Sequence, residues 1–251
     1  MALQLKGRHR VLCGDSTSLT EVERLMDGER ADMVFTSPPY NSKDGGYKTD
    51  YSGNTKKFYK SKVDNRSEDE WVDFCNSVLK IMPMDSDLSP VIWNVMYTAN
   101  CRAGYGRVVF GQDQPFTVKE TICWDKSSGF PSASKGILSR NWELIFVMSK
   151  GDKYFNTQGT NEVRFNRWKI DSGNQRDDHH ATFPVTLAEK AIEDFSLQNF
   201  KVFEPFAGSG STLIACEKTG RRCFGMEIDP HYVDVIVERY KKFCGKEVVK
   251  C

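Results

Sequence analysis

"KVFEPFAGSGSTLIACEKTGRRCFGMEID", residues 201–229, is the stretch that decides the fold. An apolar run at 201–204 leads into a glycine-rich turn, then a helical stretch, then a second apolar run at 223–228 that ends in acids. This is the strand, turn, helix, strand unit of a parallel sheet. Gly208 and Gly210 permit a tight turn and close approach of a ligand to the backbone. An acid at the end of the second strand can accept hydrogen bonds from ribose hydroxyls. Glu227 is the first such acid and Asp229 follows it. The layout is that of a nucleoside-cofactor site. A dinucleotide fingerprint, G-x-G-x-x-G, would need glycine at 213, where the chain has Leu213. A second reading makes Glu227 the cap of a helix starting at Pro230.

Working outward, apolar runs at 32–36, 91–95, 118–124 and 144–148 read as further buried strands. Helical spacing recurs at Trp71, Phe74, Cys75, Val78, Leu79 and Met82, behind a capping region at Ser67. It recurs at Leu187, Ala188, Ala191, Ile192 and Phe195, and again at Val233, Ile236, Val237 and Tyr240. The alternation predicts an α/β fold, a doubly wound and mostly parallel sheet with helices on both faces. One domain over residues 1–251 accommodates it. Two polar stretches, 41–66 and 156–182, break the pattern. The first carries Lys43, Lys56 and Lys57 with Tyr47 and Tyr51; the second carries Arg164, Arg167 and Trp168. Basic groups interleaved with aromatics suit phosphates and unstacked bases; plain solvated loops are the alternative.

Charge excludes a global field, since 35 basic residues face 34 acidic ones. A nucleic-acid partner must then be held by a local patch. No apolar run is long enough to span a bilayer, and the first ten residues lack the apolar core of a signal peptide, so a cytoplasmic protein is expected. The eight cysteines contain no C-x-x-C pair and fall among apolar runs, which reads as reduced core thiols. No convincing metal constellation is present; His179 and His180 are merely adjacent.

"FTSPPYNSK", residues 35–43, sets two prolines directly behind a buried strand. Proline fixes its own φ and donates no hydrogen bond, so the segment is a rigid, donor-free corner flanked by Ser37 and Tyr40. Alone it could be a turn. Together, S-P-P-Y and F-A-G-S-G resemble the amino-group DNA methyltransferases, with the catalytic motif before the cofactor motif as in their β class. The resemblance implies the S-adenosylmethionine-dependent methyltransferase fold in permuted motif order. It implies methyl transfer to an exocyclic amine of a base in DNA. "VLCGDS", 11–16, is similar to the segment that meets the cofactor adenine, which points to Asp15; G-D-S is also an ordinary helix start. "HHATFPVTLAEKAI", 179–192, resembles the segment enclosing the methionine part, with His180, Phe183 and Pro184. From the glycine motif the resemblance adds Glu204, Pro205, Phe206, Ser211 and Thr212. Glu204 stands where aspartate is usual; the longer acid is expected to keep the charge, with room to shift the contact.

By the same resemblance, Ser37 and the Pro38 carbonyl accept the two amine hydrogens, Pro39 helps hold that carbonyl, and Tyr40 stacks on a base extruded from the helix. Transfer is then a direct displacement governed by alignment. Serine at the first motif position favours cytosine N4 over adenine N6. Recognition is expected from 41–66, from 156–178 and from "NCRAGYGR" at 100–107, with a homodimer as another route. No segment reads as a nuclease, so any restriction endonuclease partner is a separate chain. A catalytically lapsed nucleic-acid-binding subunit, or a methyltransferase of RNA or of a protein amide, are the rival readings.

Overall fold

The computed structural model describes residues 2–5, 8–41, 48–49, 55–56, 66–96, 101–127, 141–155, 165–172, 183–245 and 249–250. The chain opens with the hairpin β1 (Ala2–Leu5) and β2 (His9–Cys13), followed by α1 (Leu19–Met26) and β3 (Met33–Thr36). A two-residue pair, β4 (Lys48–Thr49) and β5 (Thr55–Lys56), precedes α2 (Glu68–Lys80), β6 (Val91–Val95) and α3 (Arg102–Phe110). Then come β7 (Thr117–Asp125), β8 (Trp142–Ser149), β9 (Arg167–Lys169) and α4 (Val185–Phe195). The last part is β10 (Lys201–Glu204), α5 (Ser211–Thr219), β11 (Arg222–Glu227), α6 (Pro230–Cys244) and β12 (Val249–Lys250).

The main sheet has the order β12-β1-β2-β11-β10-β3-β6-β8-β7-β9. Its centre, β2-β11-β10-β3-β6, is all parallel, while β8 runs antiparallel to both of its neighbours. The central strands bury both faces because consecutive side chains point to opposite sides. Val34 joins the core beneath α1, α2 and α3, whereas Met33 and Phe35 join the core beneath α4, α5 and α6. Among the described residues, no helix is long and apolar enough to cross a membrane.

Local signals fix the helix starts. Ser67 Oγ accepts from Glu70 N–H at 3.2 Å and Glu70 returns the bond to Ser67 N–H at 2.7 Å, a reciprocal capping box. Helix α6 starts at Pro230 and is capped by Asp229, whose Oδ1 accepts from His231 N–H at 2.9 Å. The cap is therefore Asp229 and not Glu227.

One stretch differs from expectation, and a second takes helical form. The polar segment 156–182 contains β9, which pairs in parallel with β7, because Trp168 supplies the apolar anchor of a short edge strand. The segment 100–107, expected to share in recognition, enters α3, and its Cys101 and Tyr105 are core residues. The Tyr105 ring meets Trp71 edge-on at 4.9 Å.

Topology locates a crevice. After β10 the chain crosses through α5 to β11 on one side, and after β3 it passes through α2 to β6 on the other. The connections diverge between β10 and β3, and ligands of open α/β sheets bind at the carboxyl ends of the strands at such a point.

Candidate active site

Four neighbouring strands deliver the predicted motifs to one edge. Asp15 follows β2, Glu227 ends β11, the glycine loop follows β10, and Ser37 to Tyr40 follow β3. The glycine loop is held in a shape that needs its glycines. Gly208 has φ +52° and Gly210 has φ +83°, in the left-handed region. A Cβ at Gly210 would lie 3.2 Å from the Ile236 side chain. Arg239, reaching from α6, donates to Ser209 O at 3.1 Å, Ser209 Oγ at 2.8 Å and Ser211 Oγ at 3.3 Å.

Glu227 faces this loop. Its Oε2 accepts from Gly208 N–H at 2.8 Å and its Oε1 from Asp229 N–H at 3.0 Å. Burial pushes its carboxyl above the usual range, against the pull of those backbone donors. A carboxylate has about four acceptor positions, more than these backbone donors fill. The neighbouring Ile228 presents an exposed apolar side chain. Asp15 is exposed one residue beyond Gly14, whose N–H donates to Glu227 O at 2.9 Å. Its Oδ1 accepts from Thr17 N–H at 2.9 Å and Thr17 Oγ1 at 2.8 Å, a local turn at the start of α1.

Glu204 departs from expectation. It is 1% exposed and turns into the protein, where Thr36 Oγ1 and Thr212 Oγ1 both donate to it, the latter at 2.7 Å, along with Phe206 N–H at 3.1 Å. Burial raises its carboxyl to about 8 despite those donors, so at neutral pH it is largely uncharged. The longer side chain folds back and joins β3 to the glycine loop and α5. Pro205 is buried beside it, and Phe206 packs between the rings of Phe74 at 5.6 Å and Trp93 at 6.4 Å.

The proline corner is fixed from several sides. Trp71 Nε1 donates to the Pro39 carbonyl at 2.7 Å. Asn41, buried with φ +51°, exchanges hydrogen bonds with the Arg66 backbone at 2.8 and 2.9 Å. Ser37 Oγ and Tyr40 Oη are 2.5 Å apart. Behind them lies a polar cluster that the sequence reading did not identify. Asn94 Nδ2, from β6, reaches Glu143 Oε2 at 2.9 Å, Tyr40 Oη at 3.2 Å and Ser37 Oγ at 3.4 Å. Tyr40 Oη also donates to Glu143 Oε2 at 3.3 Å, and Lys126 Nζ bridges to Glu143 Oε1. Burial, and next the charge of Glu143, push the Tyr40 phenol well above its ordinary value, so it remains an O–H donor. The available signal was a polar residue inside an apolar run: Asn94 in VIWNV and Glu143 in WELIFVMS. Such residues are buried only with partners.

The remaining predicted residues divide. Phe183 meets Phe35 of β3 edge-on at 5.0 Å, and Pro184 caps α4. Arg167 is exposed and pairs with Asp125 Oδ2 at 2.6 Å. Trp168 is 6% exposed, with its ring tilted on Phe195 at 6.5 Å, and is therefore a core residue and not a stacking platform. Lys43, Tyr47, Tyr51, Lys57, Arg164 and His180 lie outside the described residues, and Lys56 enters through the backbone of β5 alone.

A segment of 137 residues is 28% identical to the type II methyltransferase M.Cfr9I of Citrobacter freundii, covering 51% of this chain and 46% of that protein. The chain spans about half the length of the first curated relatives it matches. In fold it is similar to the structure of PvuII DNA methyltransferase (cytosine-N4-specific), with a TM-score of 0.67 and 18% identity over 96% of this chain and 94% of that one. The M1.HpyAVI–SAM complex gives 0.66 and 16% identity over 92% of this chain and 98% of that one. The family model described as DNA methylase (N6_N4_Mtase) matches residues 31–238, most of the chain, and the protein belongs to that family.

Proposed function

We propose that this chain is an S-adenosylmethionine-dependent DNA methyltransferase acting on the exocyclic amine of an extruded base, with cytosine N4 favoured over adenine N6. The observation that carries the proposal is the adjacency of the Ser37–Tyr40 corner and the glycine loop at the divergence of β3 and β10, joined by the hydrogen bond between Thr36 and Glu204. When bound, the cofactor supplies an electrophilic methyl group on a sulfonium. Glu227 accepts the ribose hydroxyls, Asp15 lies toward the adenine end, and Gly208 and Gly210 let the backbone approach. Phe183 and Pro184, with His180, enclose the methionine part.

An exocyclic amine is a poor nucleophile because its lone pair is delocalised into the ring. Ser37 Oγ and the Pro38 carbonyl, accepting one hydrogen each, favour a tetrahedral nitrogen and direct its lone pair. The Pro39 carbonyl is committed to Trp71, so in this reading the second acceptor is the carbonyl of the buried Pro38. Tyr40 supplies the wall against which the base rests. The uncharged hydroxyl of Ser37 supports the cytosine assignment. The stretches 41–66 and 156–178 contact the duplex, consistent with exposed Phe165, Arg167 and Lys169 at the β9 edge.

The test is incubation with unmethylated DNA and S-adenosylmethionine, followed by digestion to nucleosides and mass spectrometry. N4-methylcytosine supports the full proposal. N6-methyladenine keeps the reaction class and removes the weight given to serine. Cofactor binding without any methylated base in DNA overturns the proposal in favour of an RNA substrate or a binding subunit.

A further inference from the structure

We propose that Glu143, with Asn94 and Lys126, sets the direction of the hydroxyl chain from Tyr40 to Ser37, so that Ser37 meets the substrate amine as an acceptor. The inference rests on the acceptor role of Ser37 given above. Serine by itself has no polarity, since its hydroxyl rotates and can either donate or accept. A residue that must accept an amine hydrogen needs its own hydrogen held elsewhere.

The cluster does this through a sequence of forced choices. Lys126 Nζ has only hydrogens to offer, and it faces Glu143 Oε1. Glu143, nearly fully buried, is acceptor-only as a carboxylate, so its Oε2 takes the Tyr40 O–H at 3.3 Å and the Asn94 amide hydrogen at 2.9 Å. With the Tyr40 hydrogen directed at Glu143, the 2.5 Å contact between Tyr40 Oη and Ser37 Oγ requires Ser37 to donate. Its alternative acceptor, Asn94 O at 3.4 Å, also lies on the protein side. One Ser37 lone pair receives Asn94 Nδ2 at a long 3.4 Å, and the other is left for the amine.

The Asn94 amide supports the same polarity. Its two Nδ2 hydrogens are shared among three acceptors while its Oδ1, also buried, accepts no hydrogen bond among the described residues. An orphaned buried oxygen is unfavourable, and the arrangement follows from the demand that the NH2 face the carboxylate. Strand register brings the parts together. Asn94 is next to last in β6, Glu143 is second in β8, and Lys126 directly follows β7.

Glu143→Gln reverses the chain. Lys126 holds the amide oxygen of Gln at its own side, which turns the amide NH2 toward Asn94 Nδ2 and Tyr40 Oη. Tyr40 must then accept, its hydrogen swings to Ser37 and takes up a Ser37 lone pair, and the Ser37 hydrogen is left to turn to Asn94 O or toward the substrate amine. Adding Lys126→Met releases the amide, whose oxygen can face Tyr40 again. We expect E143Q to lower kcat at least tenfold with unchanged S-adenosylmethionine affinity by calorimetric titration. K126M/E143Q should recover several-fold over E143Q, a coupling that a purely structural role does not produce. A wild-type kcat in E143Q, or a double variant as slow as E143Q, overturns the inference. If E143Q does not fold by circular dichroism, Tyr40→Phe carries the test, because it keeps the ring and removes the link. It should lose at least fivefold in kcat, and a wild-type kcat overturns the inference. Ser37→Ala separates the two proposals: full activity there removes the acceptor role itself, whereas an inactive S37A beside an unimpaired E143Q removes only the inference. No methyl transfer to DNA by the wild-type protein overturns both.

Discussion

Glu204 gives a prediction whose size follows from its surroundings. Its carboxyl is raised to about 8 in the folded protein, against 4.5 for an ordinary glutamate. Below pH 4.5 the group is neutral in both states and has no effect on stability. Between the two values the unfolded chain releases the proton and the folded chain keeps it. Stability attributable to Glu204 therefore falls as pH rises, by about 1.4 kcal/mol per pH unit, and levels off above the folded value. From pH 5.5 to pH 7.5 the loss is about 3 kcal/mol. Glu204→Gln removes the ionisation and keeps the shape. The amide oxygen can accept from Thr36 and Phe206, and the amide nitrogen can donate to Thr212 Oγ1 in its acceptor role. Urea denaturation of both proteins at several pH values between 5 and 9 measures the effect, since every other titrating group is common to the pair and cancels. E204Q should gain about 3 kcal/mol on wild type over that interval, with the difference flattening above pH 8. A difference independent of pH would mean that Glu204 is ionised in the fold, and the neutral joint described here would be wrong.

Three further outcomes are expected. Glu227→Ala removes the carboxylate proposed to accept the ribose hydroxyls, and S-adenosylmethionine affinity should fall about 10- to 100-fold, for roughly 1.5–3 kcal/mol of lost hydrogen bonding; an unchanged dissociation constant by titration rules out the ribose contact. Gly210→Ala places a Cβ at φ +83° within 3.2 Å of Ile236, so thermal melting should show a loss of at least about 1–2 kcal/mol, and a wild-type melting temperature would mean that the loop relaxes freely. Asn41→Ala removes two hydrogen bonds to the Arg66 backbone and puts alanine in the left-handed region; about 2–4 kcal/mol of stability should be lost, and a change below 0.5 kcal/mol in urea denaturation would show that water replaces the side chain.

How much was legible depended on whether a signal is local. The unit at 201–229 contains its own strand, turn, helix and acid, and the structure reproduces it as β10, α5 and β11. The proline corner is equally local. Strand β2, by contrast, has a sequence, HRVLC, in which two polar residues mask the pattern. His9 is nevertheless fully buried, because its Nε2 meets Glu217 Oε2 at 2.7 Å, 208 positions away. Trp168 misled in the opposite sense. Its polar flanks, Arg167 and Lys169, are exposed on an edge strand whose middle residue alone turns inward, so a window average reads the segment as loop.

The site itself is a property of strand neighbours and not of sequence neighbours. Thr36 and Glu204 bond across 168 positions because β3 and β10 are adjacent in the sheet. The proline corner can therefore precede the glycine loop in the chain with no effect on the crevice they form. The same reasoning explains why the cluster behind Ser37 was invisible. Asn94, Lys126 and Glu143 lie on or beside three different strands, β6, β7 and β8; Asn94 and Glu143 are single polar residues among apolar ones, and Lys126 sits in a polar run that gives no sign of its partner. Their meaning arises only when the register sets Asn94 beside Glu143 and Glu143 opposite Trp124, two residues before Lys126. A buried carboxylate is unfavourable without partners. Its retention between a lysine and two hydrogen-bond donors makes sense if those donors need a fixed direction, and the nearest group whose direction matters to chemistry is Ser37.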